Sequence, residues 1–495
     1  MTTYTEYLKE CRDQEWRAEL RKKLKGKERT DQPRVHMPEV DPMERVKYQN
    51  VEVNLGLSAE QAQKEASRCM DCVDPTCIEG CPVNINIPEF VKNIERGDFG
   101  LAATTLKMTS ALPAVCGRVC PQEKQCEEKC FYTVKLKKEP VAIGHLERFA
   151  ADWERESGTM SVPECAAPNG IKVATVGSGP SSLSFAGDMI KLGYEVTVFE
   201  ALHEIGGVLK YGIPEFRLPN KMVDVELDIL KKMGVKFMPN FIVGRTASFD
   251  QLKEEGFQGF FVGSGAGLPR FMNIPGENYN GILSSNEYLT RVNLMSANSD
   301  EFDTPVLRGK NVAVIGGGNT AMDSVRTAKR LGAERAIIVY RRSRVEMPAR
   351  VEEVKHAEEE GIEFMNLTNP IEYFADATGR VNKMRLQLME LGEPDASGRR
   401  SPVEIPGATE DIDVDLVIVA VGVSPNPLIP ACLPDLKVSR WGTIEVNNGM
   451  QSSIPVIFAG GDIVRGGATV ILAMGDGRNA AKSMHEYLSG KKENS

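Results

Sequence analysis

The sequence predicts an α/β chain: two Rossmann-like dinucleotide-binding units preceded by an α-helical segment that carries a metal-type cysteine cluster. Three observations predict it. A strand, glycine turn, helix and second strand follow one another over Ile171–Phe199. The same plan recurs about 140 positions further on, over Asn311–Tyr340, as a duplication of fold and not a short repeat. Eight of the eleven cysteines fall between Cys69 and Cys130.

The background is ordinary. Of 495 residues, 41% are apolar and 26% charged, which excludes a disordered or fibrous chain. Apolar runs such as Leu416–Val423 fall far short of the ~20 residues of a membrane helix, so no membrane span is expected. The N-terminus has no apolar stretch resembling a signal peptide, and a cytoplasmic location is expected. The net charge of −9 is spread along the chain and gives no nucleic-acid signal.

Residues 1–42 are charged and hold one helical candidate, about Tyr4–Leu24. The basic run Arg21–Arg29 reads as a solvated helix face, with docking against a partner subunit as the alternative. Ser58-Ala-Glu-Gln61 has the form of a capping box, and its helix leads into Cys69. Ile87–Glu95 also has helical spacing.

The cysteines read Cys69-x2-Cys72-x4-Cys77-x3-Cys81-Pro82, then Cys116-x3-Cys120-Pro121 and Cys126-x3-Cys130. Short spacings and Cys-Pro endings suit iron–sulfur clusters. Zinc is the competitor, but it usually shows paired CxxC knuckles or histidines, and His145 is the region's one histidine. Eight thiolates suit two [4Fe–4S] clusters, and spacing does not say which cysteine serves which. Cys11, Cys165 and Cys432 read as ordinary thiols.

After the strand Ile171–Val176 comes Gly177-Ser-Gly179-Pro180-Ser181-Ser182, opening a helix. Its glycines let backbone N–H groups approach a pyrophosphate at the helix N-terminus. Glu200 ends the next strand, where a carboxylate can bind ribose hydroxyls. The second motif is Gly316-Gly-Gly318-Asn319-Thr320-Ala321. Its second strand ends in Tyr340-Arg341-Arg342-Ser343-Arg344, with no acid. Guanidiniums there suit a 2′-phosphate, hence NADP(H) over NAD(H). Asp415–Val421 and Val456–Ala459 are later strands expected to complete these sheets. In Ala459-Gly-Gly461-Asp462, an Asp on a glycine turn can hold a ribityl hydroxyl. The helix after Gly467-Ala468-Thr469-Val470 would aim its dipole at an isoalloxazine ring.

NADPH gives two electrons as hydride and an iron–sulfur cluster takes one at a time, so a flavin is the natural converter. The expected cofactors are therefore FAD, NADPH and two [4Fe–4S] clusters. The division expected is a helical iron–sulfur domain 1–165, an FAD-binding domain in two parts, 166–298 and 423–495, and an NADPH-binding domain 299–422. No Gly-x-Ser-x-Gly, His-Glu-x-x-His or Walker loop occurs, and no catalytic residue is singled out.

Taken in order, Cys69–Cys81, Cys116–Cys130, the Gly177 motif, Glu204–Leu218, the Gly316 motif and Gly461-Asp462 resemble the glutamate synthase small (beta) subunit family over about residues 35–488. The resemblance implies a disulfide-reductase-like FAD/NADPH pair, with Gly207 and Val208 of the Glu204–Leu218 phrase among the cofactor-binding residues. It implies one cluster on Cys69, Cys72, Cys77 and Cys130. The other would be held by Cys81, Cys120, Cys126 and, from His145-Leu-Glu-Arg-Phe149, Glu147, which leaves Cys116 spare. Ser181 and Ser182 depart from the usual Ala and Gly. Within the family, Ala201-Leu-His-Glu and Tyr211–Pro219 look most like the large subunits of electron-bifurcating NADH-dependent reduced ferredoxin:NADP+ oxidoreductases. That likeness implies ferredoxin as electron carrier and a second flavin and iron–sulfur subunit that reduces NAD+. The alternative is the NADPH-dependent electron-input subunit of glutamate synthase, with a large amidotransferase partner. A non-catalytic electron-transfer scaffold would bind the same cofactors without oxidising NADPH.

Overall fold

The computed structural model describes residues 4–299 and 301–493. Up to Glu156 the described chain is helical and loop-rich, with helices including Ala59–Ser67, Ile87–Arg96, Phe99–Lys107, Pro113–Val119 and Ile143–Glu156. The capping box forms: Ser58 Oγ accepts from Gln61 N–H at 3.2 Å, and the Gln61 side chain accepts from Ser58 N–H at 2.9 Å. The helix expected over Tyr4–Leu24 is instead two, Tyr4–Asp13 and Glu15–Lys23, broken at Gln14, whose ψ of 141° is not helical. The break turns Arg17 and Arg21 onto the buried carboxylate of Asp71. The basic run is therefore not simply a solvated face. Arg29 is buried and pairs with Glu95 at 2.9 Å.

Two parallel five-stranded sheets follow. The first contains β1 (Lys172–Val176), β2 (Glu195–Phe199), β3 (Lys236–Met238) and β4 (Phe257–Val262). The second contains β5 (Ile282–Ser284), β6 (Asn311–Ile315), β7 (Arg335–Tyr340) and β8 (Glu363–Asn366). An antiparallel meander comes next: β9 (Thr368–Ala375), β10 (Val381–Pro394) and β11 (Arg400–Asp413). Then β12 (Leu416–Val419) enters the second sheet between β5 and β6, giving the order β5-β12-β6-β7-β8. Finally β13 (Ile457–Ala459) returns to the first, giving β13-β4-β1-β2-β3. Both late strands complete earlier sheets, as expected.

Alternation along β6 decides its layers. Val312 and Val314 face the helices Asn319–Arg330 and Val351–Glu359, whereas Ala313 and Ile315 face Met384, Leu386 and Ile412 of the meander. The border expected at 298/299 falls too late. β5 pairs with β12, and Tyr288 and Leu289 after it lie in the second sheet's core. The chain crosses between units at an antiparallel two-stranded link, Leu268–Pro269 with Val423–Ser424. β5 is only three residues long, too short to show alternation in sequence.

The three parts meet around buried charge. Glu360 accepts from Arg45 of the N-terminal part at 2.8 Å, and from Arg326 and Arg330 of the second unit at 2.8 and 2.7 Å. Phe216 of the first unit lies against both Arg326 and Arg330. Its neighbour Arg217 donates from Nη1 to both carboxylate oxygens of Asp323 at 2.6 Å, and its Nε lies 3.2 Å from Glu353. Burial would raise the Glu353 carboxyl, but Arg217 and Arg326 outweigh it and hold it at about 2. Glu360 is likewise held below its ordinary value by Arg326 and Arg330, against the effect of burial.

Replacing Glu360 by Gln leaves three guanidiniums facing a neutral amide, and should cost about 3–5 kcal/mol in chemical unfolding. Because both carboxyls are depressed, their contribution is present above pH 4.5 and is lost as pH falls towards about 2. An acid-unfolding midpoint that Glu360→Gln leaves unmoved would contradict this account.

Candidate functional site

Cys69, Cys72, Cys77 and Cys130 line one cavity with Ile87, Val91 and Ile143. Asp71, between the first two, has a left-handed backbone (φ 52°) and is clamped by Arg17 and Arg21. That clamp shapes the Cys69–Cys72 turn, and Lys92 donates to the Cys69 carbonyl at 2.5 Å. Burial and the neighbouring Cys69 and Cys130 push the Cys72 thiol up to about 12. Thiols so crowded in an apolar pocket become thiolates only if a cationic group arrives to bind them.

Cys81, Cys120, Cys126 and Glu147 form a second, deeper set. The three thiols are buried, and each feels the Glu147 charge. Burial and, secondarily, Glu226 raise the Glu147 carboxyl to about 8. Its Oε1 is buried without a hydrogen-bond partner. An orphaned carboxylate oxygen among three thiols is the donor set a cluster with one oxygen ligand requires. Cys116 stands beside Cys120, with its Sγ 3.5 Å from Met474 Sδ. Among the described residues, no three of these sulfurs lie within 4.8 Å of one another.

In the first unit, Gly177 turns the chain at φ 92°, where a Cβ would strike the Gly263 carbonyl. Gly179 is the N-cap of the helix Pro180–Lys191. Ser181 and Ser182 are buried, their hydroxyls against Gly263, and Ser182 Oγ has no partner. Glu200 already works for the protein. Its Oε2 accepts from Ser178 N–H at 2.8 Å and Ser178 O–H at 2.6 Å, and its Oε1 from Leu202 N–H at 2.9 Å. Ser178 Oγ accepts from Gly206 N–H at 2.9 Å. This draws Gly207 (φ 55°), which caps the short helix Val208–Tyr211, over Gly179. Gly461 (φ 77°) donates its N–H to Asp476 at 3.0 Å. Asp462 accepts from Ala468 N–H at 3.1 Å, and burial raises its carboxyl to about 6. The helix Val470–Glu493 begins just after Thr469. The structure thus gathers Gly177–Ser182, Glu200, Gly207–Val208, Gly461–Asp462 and Ala468–Val470 around the ends of β1, β2 and β13. Sequence reasoning missed Asp476, whose one signal is an acid between Gly475 and Gly477.

In the second unit, Gly316 (φ 139°) packs on the Ala420 carbonyl, Gly317 on the Tyr340 ring, and Gly318 caps the helix Asn319–Arg330. Thr320 is exposed and Ala321 buried within that helix. Asn319 Oδ1 accepts from Arg350 N–H at 2.9 Å. The arginines divide. Arg341 is exposed, Arg342 is buried and bound to Asp395 at 2.6 Å, and Arg344 pairs with Glu358. No helix among the described residues is long and apolar enough to cross a membrane.

Residues 45–159 match the family model of dihydropyrimidine dehydrogenase domain II, 4Fe-4S cluster, and residues 242–477 that of pyridine nucleotide-disulphide oxidoreductase. The glutamate synthase [NADPH] small chain of Azospirillum brasilense is 36% identical over 463 residues, which is 92% of this chain and 95% of the relative. That of Escherichia coli (strain K12) is 35% identical over 458 residues, 91% and 96% of the two chains. The beta subunit of the NADP(+)-dependent formate dehydrogenase of Moorella thermoacetica is 37% identical over 440 residues, 84% of this chain and 60% of the relative. Among solved structures, FprA of Mycobacterium tuberculosis in complex with NADPH matches with a TM-score of 0.56 at 21% identity, over 66% of this chain and 86% of that one. That last likeness is one of fold.

A Cys126→Ala variant should retain about half the iron of the parent, since one of two clusters loses a ligand. Cys116→Ser should retain all of it. Iron and sulfide analysis of anaerobically prepared protein checks both, and iron loss in the Cys116 variant would reassign the ligands.

Proposed function

The chain belongs to the glutamate synthase small-chain family, and from that premise we propose that it is the electron-input subunit of a larger enzyme, drawing on NADPH and feeding a partner subunit. It is an NADPH-dependent flavin and iron–sulfur oxidoreductase whose cofactors are FAD, NADPH and [4Fe–4S] clusters. When bound, the flavin takes a hydride from NADPH and releases its electrons singly to the clusters.

One packing contact carries the reading. Pro82, next to Cys81, lays its carbonyl on Gly475 of the C-terminal helix, where a Cβ would come within 2.9 Å. That helix starts at Val470, at the proposed flavin site. The second cysteine set therefore leans on an element that begins at that site. Gly80 in turn packs on Gln125 and Cys126. The first set lies farther out, with Cys69, Cys72 and Cys77 half-buried and Val73 exposed. This order supports a route from the nucleotide units through the Cys81 set to the Cys69 set, and from there to a partner.

The residues' own tasks follow. Cys69, Cys72, Cys77 and Cys130 hold the outer cluster; Cys81, Cys120, Cys126 and Glu147 hold the inner one. Gly177–Ser182, Glu200, Gly207, Val208, Gly461, Asp462 and Ala468–Val470 bind FAD. Gly316, Gly318, Asn319, Thr320 and Ala321 bind the pyrophosphate of NADPH, and Arg341, Arg342 and Arg344 face its 2′-phosphate. Whole-length similarity to glutamate synthase small chains favours a large amidotransferase-type partner. A bifurcating assembly with ferredoxin and a second flavin and iron–sulfur subunit is the other reading, favoured by the phrases Ala201–Glu204 and Tyr211–Pro219. Anaerobic purification with bound partners separates them: a large chain with amidotransferase and synthase domains supports the first, a small flavin and iron–sulfur chain the second.

Arg341→Ala should raise KM for NADPH about 10- to 100-fold, the worth of charge-assisted bonds to a phosphate, and leave KM for NADH nearly unchanged. Asp395→Asn, which frees the Arg342 guanidinium, should move KM for NADPH the other way. Steady-state reduction of a dye by each nucleotide checks both. Equal losses with NADPH and NADH would sink the 2′-phosphate assignment.

A further inference from the structure

Glu352 and His356 stand four residues apart on the helix Val351–Glu359, hence on one face of it. Glu39 faces them from an extended segment of the N-terminal part. That segment is pinned by Val40 N–H to the Val53 carbonyl at 2.9 Å and Leu55 N–H to the Pro38 carbonyl at 2.8 Å. One donor atom from each of the three residues lies within 4.8 Å of the other two. His356 is 1% exposed, and both ring nitrogens are buried without a hydrogen bond. Its Nε2 comes to 3.3 Å from Glu39 Oε2 but without hydrogen-bond geometry. An imidazole buried in this way gives up its hydrogen bonds to water and has in return only the Glu39 carboxylate, off hydrogen-bond geometry.

We propose that Glu39, Glu352 and His356 form a divalent-cation site of the zinc class that clips the cysteine-bearing part to the second nucleotide unit. Two carboxylates and one imidazole are a ligand set that zinc accepts, and their two negative charges balance the ion. The surrounding cations do not block it. Lys355 lies 3.2 Å from Glu39, but its side chain is half exposed and free to turn to solvent. Arg45, 3.5 Å from Glu39, and Arg350, 2.8 Å from Glu352, are buried. Together with Asn54, 3.3 Å from Glu352, they stay as outer partners that orient the carboxylates. None of the three ligands belongs to a cysteine set or a glycine turn, although the outer partner Arg350 also donates its N–H to Asn319 of the second turn at 2.9 Å, so the site's role is structural. It fixes how the N-terminal part seats on the helix that also carries Glu353.

The test uses the intact anaerobic protein with FAD and clusters in place, so that the ligand thiols are occupied. The protein is treated with a chelator, equilibrated with Zn2+ alone and desalted, and metals are counted by mass spectrometry. The parent should retain about one zinc per FAD, and His356→Ala and Glu352→Gln each roughly a tenth of that or less, with iron and FAD unchanged. Anomalous scattering at the zinc edge should place the ion between Glu39 and His356. A parent that retains no zinc, variants that retain as much as the parent, or an anomalous peak at a free cysteine instead would each overturn the proposal. If His356→Ala proves too unstable to purify, Glu352→Gln with the anomalous map decides alone.

Discussion

A single buried carboxylate, Glu360, sits where the three parts of the chain meet, and their mutual orientation depends on it. Arg45 reaches it from the N-terminal part, and Arg326 and Arg330 from the helix that follows the second glycine turn. Taking such charges out of water costs several kcal/mol each, and their pairing returns that cost only when every member is in place. The arrangement is thus a weak source of net stability and a strong source of specificity. A docking shifted by one residue would strand a guanidinium in a dry interface. Phe216 fixes the third direction, since its ring lies against two of the arginines while its carbonyl accepts from Val53 N–H at 3.0 Å.

That fixed seating is what lets the cysteine loops press on the flavin unit. The contact at Pro82 and Gly475 has only the rigid proline ring and backbone, with no flexible side chain to adjust, and neither has Gly477, whose missing Cβ leaves room for the Ser181 carbonyl. Backbone packed on backbone tolerates little error, so orientation must be set elsewhere, and the charged junction sets it. The two cysteine sets also differ in electrostatics. Cations crowd the outer one: Arg17 and Arg21 on Asp71, Arg29 and Lys92 by the Cys69 carbonyl. The inner one has Glu147 as its proposed oxygen donor and Glu226 nearby, two carboxyls that burial raises to about 8. Positive surroundings, such as those of the outer set, favour the reduced cluster. On the proposed route, electrons would then run downhill from the inner set to the outer.

Much of this was legible because it is local. A glycine turn between strand and helix, an N-cap serine with Gln three residues on, and a cysteine run all announce themselves within a dozen residues. What escaped reading depends on distant partners. Nothing near Arg17 or Arg29 says that they turn inward, because Asp71 and Glu95 are more than fifty residues away in sequence. Nothing near Glu360 says that it is buried, because its partner Arg45 is 315 residues earlier. The phrase Tyr211–Pro219 was recognisable only as a resemblance. Its role emerges once Phe216 and Arg217 are seen at the junction.

The same distinction separates the nucleotide-site residues. Glu200 has the position of a ribose-binding acid, yet both its oxygens are engaged by Ser178 and Leu202, so it first holds the glycine turn in shape. Asn319 in the second turn likewise accepts from Arg350 N–H. Preorganised groups of this kind lose little entropy when a ligand arrives, which is why motif residues serve structure and ligand at once. The arginines after β7 show the limit of reading a motif as a list. Arg342 and Arg344 have carboxylate partners of their own, and a phosphate bound as proposed would have to compete with Asp395 and Glu358 for them. Arg341, exposed and committed to no such partner among the described residues, offers its charge without that competition. On the proposed assignment, recognition of the 2′-phosphate would therefore rest unequally on three residues that the sequence presents as equivalent.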